Sequence, residues 1–336
     1  MSKSFVVEYP NLRPALWAQN CHVQTLAASF LGGKRSTRVP TKHVVTLSDG
    51  DRVVIHDDNA KSWITGDRIA ILVHGLCGSH DSNYVRRTAI RLRQHGIRTI
   101  RVDMRGFGDS QFLSTGHLHA GRSDDLRDIV EFVEHLSPLS KVSLIGFSLG
   151  ANIVLKLVAE QDSESQSLVD SVIAVAPPVD LVMCSWHLRS FGNRFYEYYF
   201  VHRMRRCLRL RRRHVQGLAD NGMCPIPNRL VHFDDQFTAP VNGFSSARDY
   251  YEKCSTVDVL DQIQVPTIIV AAKDDPVVPF EMFDARYFSS QIELVYTEHG
   301  GHLGFLGKQR RDPDKYWLDW RICNWLTSLD LSLIHI

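Results

Sequence analysis

A single serine stands between two glycines at the point where a predicted strand should end and a predicted helix begin. Residues 142–145 are mostly β-formers, 151–159 continue as a largely apolar helix, and the pentapeptide 146–150 reads GFSLG. In a G-x-S-x-G sequence of this kind a sharp turn exposes the serine hydroxyl, and the glycines avoid collision with the neighbouring strand and helix. Ser148 is therefore the candidate nucleophile, and a helix cap is the alternative interpretation.

Two later stretches offer the partners that a serine nucleophile needs. Residues 273–279, KDDPVVP, follow a predicted strand and supply a carboxylate, whereas 298–305, EHGGHLGF, follow the last predicted strand and supply an imidazole. Catalytic groups in an open parallel sheet gather at the carboxyl ends of the strands. The chain order serine, acid, histidine is one known arrangement of a hydrolytic triad. We predict the set Ser148, Asp275 and His302.

A loop that could stabilise a developing oxyanion follows the first strand of the predicted parallel sheet. It is the segment 74–78, HGLCG, in which Gly75 would let the backbone fold back toward the serine. The backbone N–H groups of Leu76 and Leu149 would then converge on one oxygen atom. His74 lies beside this loop, so we predict that it hydrogen-bonds within the loop and does not act as the base.

Predicted strands and helices alternate from about residue 43, a pattern typical of a mainly parallel sheet with helices on both faces. The predicted fold class is therefore α/β. The predicted strands are 43–46, 53–56, 68–73, 97–102, 142–145, 171–176, 267–271 and 293–296, and the predicted helices are 82–95, 124–136, 151–159, a helix near 280–288, and 314–329.

The alternation is interrupted once, and the interruption gives the predicted domain division. We predict an N-terminal segment 1–35 that packs on the core, a core made of 36–178 and 256–330, and a largely helical cap insertion at 179–255. The last six residues, 331–336 (LSLIHI), resemble the translation of an adapter used in sequencing libraries, and we expect them to be a non-native tail.

The insertion contains a basic stretch and a set of aromatic residues. Arg203 to His214 includes seven arginines. They form either a basic surface for phosphate or anionic lipid, which leaves peripheral membrane contact open, or a solvated helix face with Val201, Met204 and Leu208 pointing inward, which we favour. The aromatic residues either line a path for an acyl chain or form the core of the insertion itself: Trp186, Phe191, Phe195, Tyr196, Tyr198, Tyr199 and Phe200.

Composition excludes several classes of protein. A net charge of +2 gives no reason to expect a nucleic-acid partner, and 44% hydrophobic residues with 23% charged residues describe an ordinary globular protein. The longest apolar run, 69–73, is too short to cross a membrane, and the N-terminal residues contain no signal-peptide stretch. We therefore predict a cytoplasmic protein.

The cysteines and histidines of the chain predict neither a metal site nor a disulfide framework. Seven cysteines without any C-x-x-C pair indicate reduced thiols. The histidine pair His117 and His119 lacks a nearby cysteine or patterned carboxylate, so we expect both residues to be loop residues and expect no metal or cofactor.

Several motifs make the chain resemble the α/β-hydrolase superfamily and, within it, the YheT-like hydrolases and their eukaryotic relatives. The superfamily sequence D-x-R-G-x-G-x-S is present at 103–110, and the resemblance extends from residue 9 to about 328. Residues 104–110 are closer to the general superfamily than to the F-R-G-C-S-G of the subfamily. Subfamily-like stretches are PNLRP at 10–14, NCHVQTL at 20–26, HAGRSDDL at 119–126 and FDDQFTAP at 233–240, continuing through Gly243 and Phe244 to Tyr250 and Tyr251.

The resemblance implies a helical cap over a mainly parallel sheet and selects between competing site residues. The superfamily pattern D-x-V/I-V-P favours Asp275 over Asp274, and G-G-H-x-G-F favours His302 over His299. A serine nucleophile argues against the dehalogenases and epoxide hydrolases of this fold, which use aspartate.

The leading hypothesis is a serine hydrolase that cleaves carboxylic esters, and an acyl path along the aromatic residues of the cap would favour short or medium acyl chains, including monoacylglycerol-like esters. Thioesterase, amidase and acyltransferase chemistry use the same machinery and remain alternatives. A non-catalytic binding protein on a hydrolase scaffold is the alternative from a different class.

Overall fold

The structure of the chain is a computed structural model that describes residues 11–32, 39–161, 169–284, 288–309 and 312–332. Much of the predicted N-terminal segment (1–10 and 33–35) and the last four residues of the predicted tail (333–336) lie outside these ranges. The fold below is that of the described residues.

A single eight-stranded sheet organises the chain, with strand order β1-β2-β4-β3-β5-β6-β7-β8. β1 and β2 form an antiparallel hairpin and β2 is antiparallel to β4, whereas every pairing from β4 to β8 is parallel. The predicted α/β class is therefore confirmed. The strands are β1 (Thr41–Thr46), β2 (Arg52–Asp58), β3 (Ile69–Val73), β4 (Arg98–Asp103), β5 (Val142–Phe147), β6 (Val169–Val175), β7 (Thr267–Ala272) and β8 (Ile292–Thr297).

Ten α-helices accompany the sheet in the described ranges. Short 3₁₀ turns occur at Leu16–Ala18, Gly108–Ser110, Leu260–Gln262 and Phe280–Phe283, and a π turn at Asp234–Thr238. The helices are α1 (Cys21–Phe30), α2 (Asn83–Gln94), α3 (Ser123–Leu136), α4 (Leu149–Ala159), α5 (Leu181–Leu188), α6 (Arg194–His214), α7 (Leu230–Phe233), α8 (Ala239–Val241), α9 (Ala247–Cys254) and α10 (Trp317–Ser332).

The central strands are buried on both faces because their side chains alternate between two hydrophobic clusters. In β3, Ile69 and Ile71 pack with α3 and α4, whereas Ala70 and Leu72 pack with α2 and α10. The result is a three-layer arrangement in which the carboxyl ends of the parallel strands form one edge of the sheet. This edge carries the candidate site.

The segment between β6 and β7 contains α5 to α9, in the region where the sequence predicts a helical insertion. In α6, Val201 and Leu208 are buried, as the inward-facing interpretation predicts. That interpretation misses Arg211, which is also buried and donates to the carbonyl oxygens of Ser114 and Gly116. One member of the basic stretch therefore holds α6 against the core.

The helix predicted near 280–288 is wrong over its first part, where the structure has only a 3₁₀ turn at Phe280–Phe283. The turn begins directly after Pro279, and Asp284 already has an extended backbone with ψ of 140°. Residues 285–287 lie outside the described ranges. Among the helices that the structure describes, none has the length and apolar character needed to cross a membrane.

Candidate active site

Ser148 lies on the tight turn between β5 and α4. Its backbone has φ of 52° and ψ of −121°, a conformation that residues other than glycine rarely adopt. It occupies the N-cap position of α4, but its side chain makes no capping hydrogen bond. The Ser148 side chain therefore does not cap α4, the alternative interpretation that the sequence leaves open.

The two flanking glycines of this turn are required by close backbone contacts. A Cβ on Gly146 would lie 2.5 Å from Ala151 Cα, and one on Gly150 would lie 2.5 Å from the carbonyl oxygens of Val73 and His74. These distances are far below ordinary van der Waals contact, so β3, β5 and α4 can meet only if glycine stands at both positions.

We expect Gly150→Ala to destabilise the protein, because neither backbone carbonyl can move without disturbing the sheet. Overpacking of this kind costs roughly 1–3 kcal/mol. Urea unfolding should show a lowered free energy of unfolding. Gly192→Ala is the matched control, since nothing lies within 4 Å of a Cβ at Gly192. Equal unfolding midpoints for the two variants would contradict the explanation.

His302 connects the serine to a carboxylate. Its Nε2 lies 2.9 Å from Ser148 Oγ, and its Nδ1 lies 2.9 Å from Asp275 Oδ2. Because a carboxylate only accepts hydrogen bonds, Nδ1 carries the proton, and Nε2 is left to accept from the serine hydroxyl. This tautomer is the one in which an imidazole can remove a proton from serine.

Backbone contacts fix the two partners of the serine. Asp275 Oδ1 accepts hydrogen bonds from the backbone N–H groups of Val277 (2.7 Å) and Val278 (3.0 Å), which orients the carboxylate. The backbone N–H of His302 donates to Thr25 Oγ1 at 2.9 Å. Thr25 belongs to α1, so the N-terminal part of the described chain helps to position the histidine.

A second residue of α1 secures the same loop. The side chain of Gln24 is fully buried, and its Nε2 donates to the carbonyl oxygens of Ala18 (2.8 Å) and Leu306 (3.1 Å). Its Oε1 accepts from the backbone N–H of Leu306 at 2.7 Å. The loop that carries His302 is thus bound on one side by α1.

The competing residues Asp274 and His299 form a separate pair. His299 Nδ1 lies 3.4 Å from Asp274 Oδ2, and the His299 side chain is 47% exposed. Asp274 Oδ1 accepts a hydrogen bond from the backbone N–H of Gly301. The structure brings Ser148, Asp275 and His302 together and gives Asp274 and His299 a different set of contacts.

The loop after β3 approaches the serine closely. A Cβ on Gly75 would lie 3.0 Å from Ser148 Cβ, so glycine is needed for this approach. The fully buried His74 donates from Nδ1 to the Gly75 carbonyl oxygen and accepts from the Met104 backbone N–H at Nε2. Burial lowers the pKa of His74 and keeps it neutral, which agrees with its predicted place within the loop.

Ser148 opens into a cavity of about 760 Å³, a volume that includes space at its open mouth. The predicted oxyanion donors Leu76 and Leu149 both line it. Most of its surface is apolar, which suits a hydrocarbon chain. Its apolar lining comes from the core and from the segment between β6 and β7: Leu76, Leu118, Leu149, Pro178, Leu181, Leu188, Phe200, Met204, Leu230, Val277 and Val278.

Most of the aromatic residues that the sequence assigns either to an acyl path or to the core of the insertion lie in neither place. Phe200 lines the cavity, and Tyr196 is buried beside α1, where its hydroxyl lies 2.9 Å from His22 Nδ1. The other five are exposed because they lie on the outer side of α5 and α6 and on the turn between them. They are Trp186, Phe191, Phe195, Tyr198 and Tyr199.

The cavity also contains a buried carboxyl group that sequence reasoning did not assign. Asp234 accepts hydrogen bonds from the Tyr251 hydroxyl and from Thr238 Oγ1, each at 2.7 Å. Burial raises the pKa of Asp234 to about 6. The subfamily-like stretch FDDQFTAP contains this residue, but its spacing gives no indication that the side chain faces a cavity.

One group within the described residues could supply four ligand atoms to a metal ion: His56, His80, Asp103 and Asp109. Hydrogen bonds account for its geometry, because His56 Nε2 (3.0 Å) and His80 Nδ1 (2.7 Å) both lie against Asp103 Oδ2. Burial opposes ionisation of Asp103, but the hydrogen bonds from the two histidines hold its pKa well below the usual range. We therefore interpret the group as a network that anchors the loop containing His80 to β4.

The histidine pair considered for a metal in the sequence contacts separate partners. His117 lies against the carbonyl oxygen of Ala219 and the guanidinium of Arg211. His119 accepts a hydrogen bond from the Gly121 backbone N–H and lines the cavity, and burial lowers its pKa to about 3. Both residues are therefore accounted for by loop contacts.

A strained serine turn after the fifth strand of a mainly parallel sheet, with acid and histidine on loops after later strands, defines the α/β hydrolase class. The chain belongs to the α/β hydrolase fold family, whose model matches residues 71–309. The chain is thus a hydrolase by class, as the sequence motifs imply.

Comparison with individual proteins shows which members of the family the chain resembles. The chain is 28% identical over 313 residues to the "Putative esterase YheT" of Escherichia coli K12, covering 92% of this chain and 91% of that protein. It is 24% identical over 328 residues to human "Monoacylglycerol lipase ABHD2", covering 91% and 77%. The resemblance to YheT-like hydrolases is therefore confirmed.

Solved structures support the fold. The Pyrococcus furiosus esterase Pf2001 aligns with a TM-score of 0.59 at 15% identity, covering 95% of this chain and 98% of that chain. The 2,6-dihydroxy-pseudo-oxynicotine hydrolase aligns with a TM-score of 0.57 at 17% identity, covering 91% and 70%. At these identities the likeness extends to the fold alone.

Proposed function

We propose that this hydrolase is a serine esterase that cleaves carboxylic esters with short or medium acyl chains, including monoacylglycerol-like esters. The observation that carries the proposal is the double contact of His302, 2.9 Å from Ser148 Oγ and 2.9 Å from Asp275 Oδ2. Nucleophile, base and orienting carboxylate at such distances form the arrangement that activates a serine for acyl transfer.

In the first half of the reaction, Ser148 Oγ attacks the carbonyl carbon of the ester while its proton passes to His302 Nε2. Asp275 accepts a hydrogen bond from Nδ1–H and stabilises the imidazolium that forms. The carbonyl oxygen becomes an oxyanion, and we assign the backbone N–H groups of Leu76 and Leu149 as its donors. Their location on the two segments that meet at Ser148 supports this assignment.

The tetrahedral intermediate then breaks the bond to the leaving alcohol, which receives the proton from His302 Nε2. A covalent acyl-enzyme on Ser148 remains. Water attacks this ester, again giving its proton to His302, and a second collapse releases the carboxylic acid and restores the serine hydroxyl. A triad of this kind needs no metal or organic cofactor.

The acyl preference follows from the cavity that Ser148 enters. Its lining is mainly aliphatic, so each buried methylene contributes roughly 0.8 kcal/mol, about a fourfold gain in kcat/KM, until the cavity is filled. Two relatives have names that agree with this substrate class, an esterase and a monoacylglycerol lipase. Both considerations favour an aliphatic ester over a bulky aromatic amide.

A series of p-nitrophenyl esters of increasing chain length tests the substrate class. We expect kcat/KM to rise over the short chains and then to fall once the acyl chain exceeds the cavity. Met204→Trp, which adds bulk to the cavity wall, should move the optimum to shorter chains. His202→Trp is the control, because His202 lies two residues away on the exposed side of α6.

Parallel assays separate the ester from its alternatives. Acyl thioesters and anilides of the optimal chain length should react less efficiently than the matching ester. Equal turnover of bulky aromatic amides and aliphatic esters would refute the proposed substrate class. Transfer of the acyl group to an added alcohol in preference to water would instead indicate an acyltransferase.

A further inference from the structure

The segment between β6 and β7 exposes several large aromatic side chains that are close together in the chain. Phe191 is 94% exposed, Trp186 and Tyr198 are each 64% exposed, and Phe195 is 56% exposed. Exposed apolar surface concentrated in one short segment marks a place where something binds. Tyr199, at 44% exposure, extends the same set.

The exposed aromatic residues on α6 continue into a basic stripe along one side of this helix. Residues spaced three or four apart share a helix face. Phe195, Tyr199 and His202 lead to Arg206, Arg209 and Arg213 at this spacing, and all six are exposed. At 1.5 Å per residue the stripe runs roughly 27 Å along the helix.

The charge of this region is strongly one-sided. Residues 181–215 contain nine arginines and a single acidic residue, Glu197. Glu197 is buried and pairs with Arg229, so it does not offset the exposed arginines. A helical surface with aromatic side chains at one end and arginines at the other matches the interface of a membrane that contains anionic lipids.

Two of the helices that contact the candidate active site, α1 and α6, also present apolar side chains to solvent. α6 binds the loop after β3, because Arg203 donates to the Cys77 carbonyl oxygen at 2.7 Å. α1 holds the His302 backbone through Thr25 and meets α6 at the contact between His22 and Tyr196. α1 exposes an apolar side at helical spacing, formed by Val23, Leu26 and Phe30.

We propose that a cap face, formed by Trp186, Phe191, Phe195, Tyr198, Tyr199, Arg206, Arg209 and Arg213, docks this hydrolase on an anionic lipid surface. The aromatic side chains enter the interfacial layer, and the arginines contact the lipid phosphates. Through α1 and α6, docking brings the mouth of the cavity to the layer that holds lipid esters. This last step depends on the esterase function proposed above, whereas docking itself does not.

A second copy of the chain is a poorer occupant of the cap face. A two-fold symmetric contact would bring the same patch of each subunit together, and exposed arginines would then face arginines. Like charges in contact are repelled, which opposes association. Lipid phosphates have the opposite charge to the arginines. The interfacial layer of the membrane also accommodates aromatic side chains.

Vesicle flotation tests the docking. Wild-type protein should float with vesicles of phosphatidylcholine and phosphatidylglycerol, less with phosphatidylcholine alone, and less at high salt. Phe191→Ser with Phe195→Ser, and separately Arg206→Glu with Arg209→Glu, should each weaken binding by roughly tenfold or more. The control is Ile64→Ser with Leu139→Ser, which removes exposed apolar side chains from loops at the amino ends of the strands.

Activity assays separate docking from catalysis. On a soluble ester such as p-nitrophenyl butyrate, all of these variants should match the wild type. On a monoacylglycerol held in the anionic vesicles, the two cap-face variants should lose turnover and the control should not. If the wild type cleaves no ester, the esterase proposal fails while flotation still decides the docking.

Two results would overturn the inference. One is flotation that is equal for wild type and both cap-face variants. The other is a wild type that does not bind vesicles but is dimeric by light scattering, while the cap-face variants are monomeric. The cap face would then be an interface between two copies of the chain.

Discussion

Ser148→Ala should abolish covalent labelling by a fluorophosphonate probe and reduce ester turnover by roughly 10⁴- to 10⁶-fold. The methyl group of alanine cannot attack a carbonyl carbon or form an acyl-enzyme, so only binding and oxyanion stabilisation would remain. Gel fluorescence measures the labelling, and steady-state kinetics on p-nitrophenyl butyrate measures the turnover. Circular dichroism should show an unchanged fold, because the methyl group fits where the hydroxymethyl group was.

Ser185→Ala is the matched control for the nucleophile. Ser185 lines the same cavity, but no hydrogen bond joins it to His302. The Ser185 variant should therefore keep both labelling and turnover. His302→Ala should lose nearly as much activity as Ser148→Ala, since members of a triad act as a unit and their effects do not add. Wild-type turnover in the Ser148 variant would reject the entire proposed mechanism.

Asp275→Asn should lower kcat by roughly 10⁴-fold. An amide can donate to Nδ1 and so favours the tautomer in which Nε2 carries the proton, which leaves no acceptor for the serine hydroxyl. It also lacks the negative charge that stabilises the imidazolium. Oδ1 would still accept the backbone N–H groups of Val277 and Val278, so we expect the loop to keep its conformation.

Asp274→Asn supplies the comparison, because the two carboxylates are neighbours in the chain and differ in their partners. Asp274 faces the half-exposed His299, and its loss should change kcat by much less than the loss of Asp275. The decisive measurement is the ratio of the two kcat values on folded protein. If the Asp274 variant is the more damaged, the acid is assigned to the wrong residue.

The sequence is sufficient to predict the sheet, because each strand has a clear local pattern of hydrophobic residues. The run 69–73 is wholly apolar, includes three β-branched residues and is flanked by Arg68 and His74, a pattern that favours a short buried strand. The candidate site can be predicted equally well from the sequence, because Ser148, Asp275 and His302 each follow a strand end within a short motif. Parallel strands bring such ends to one edge whatever their separation in the chain.

What the sequence does not reveal depends on contacts between distant residues. His56, His80 and Asp103 come from three separate segments, and no local spacing connects them. The aromatic residues of the insertion have helical spacing whether they face a cavity, a core or solvent. Only the packing of α5 and α6 shows that Phe200 lines the cavity while Phe195 is exposed.

The bond between α1 and the histidine loop has a consequence for biosynthesis. Thr25 is made 277 residues before His302, and Gln24 is made 282 residues before Leu306, whose backbone N–H it binds. Domains generally begin to fold as the chain emerges, N-terminal parts first. α1 therefore cannot complete these contacts until the loop with His302 and Leu306 has been made, so the nascent protein acquires its ordered histidine, and with it any hydrolytic capacity, only after that loop has emerged.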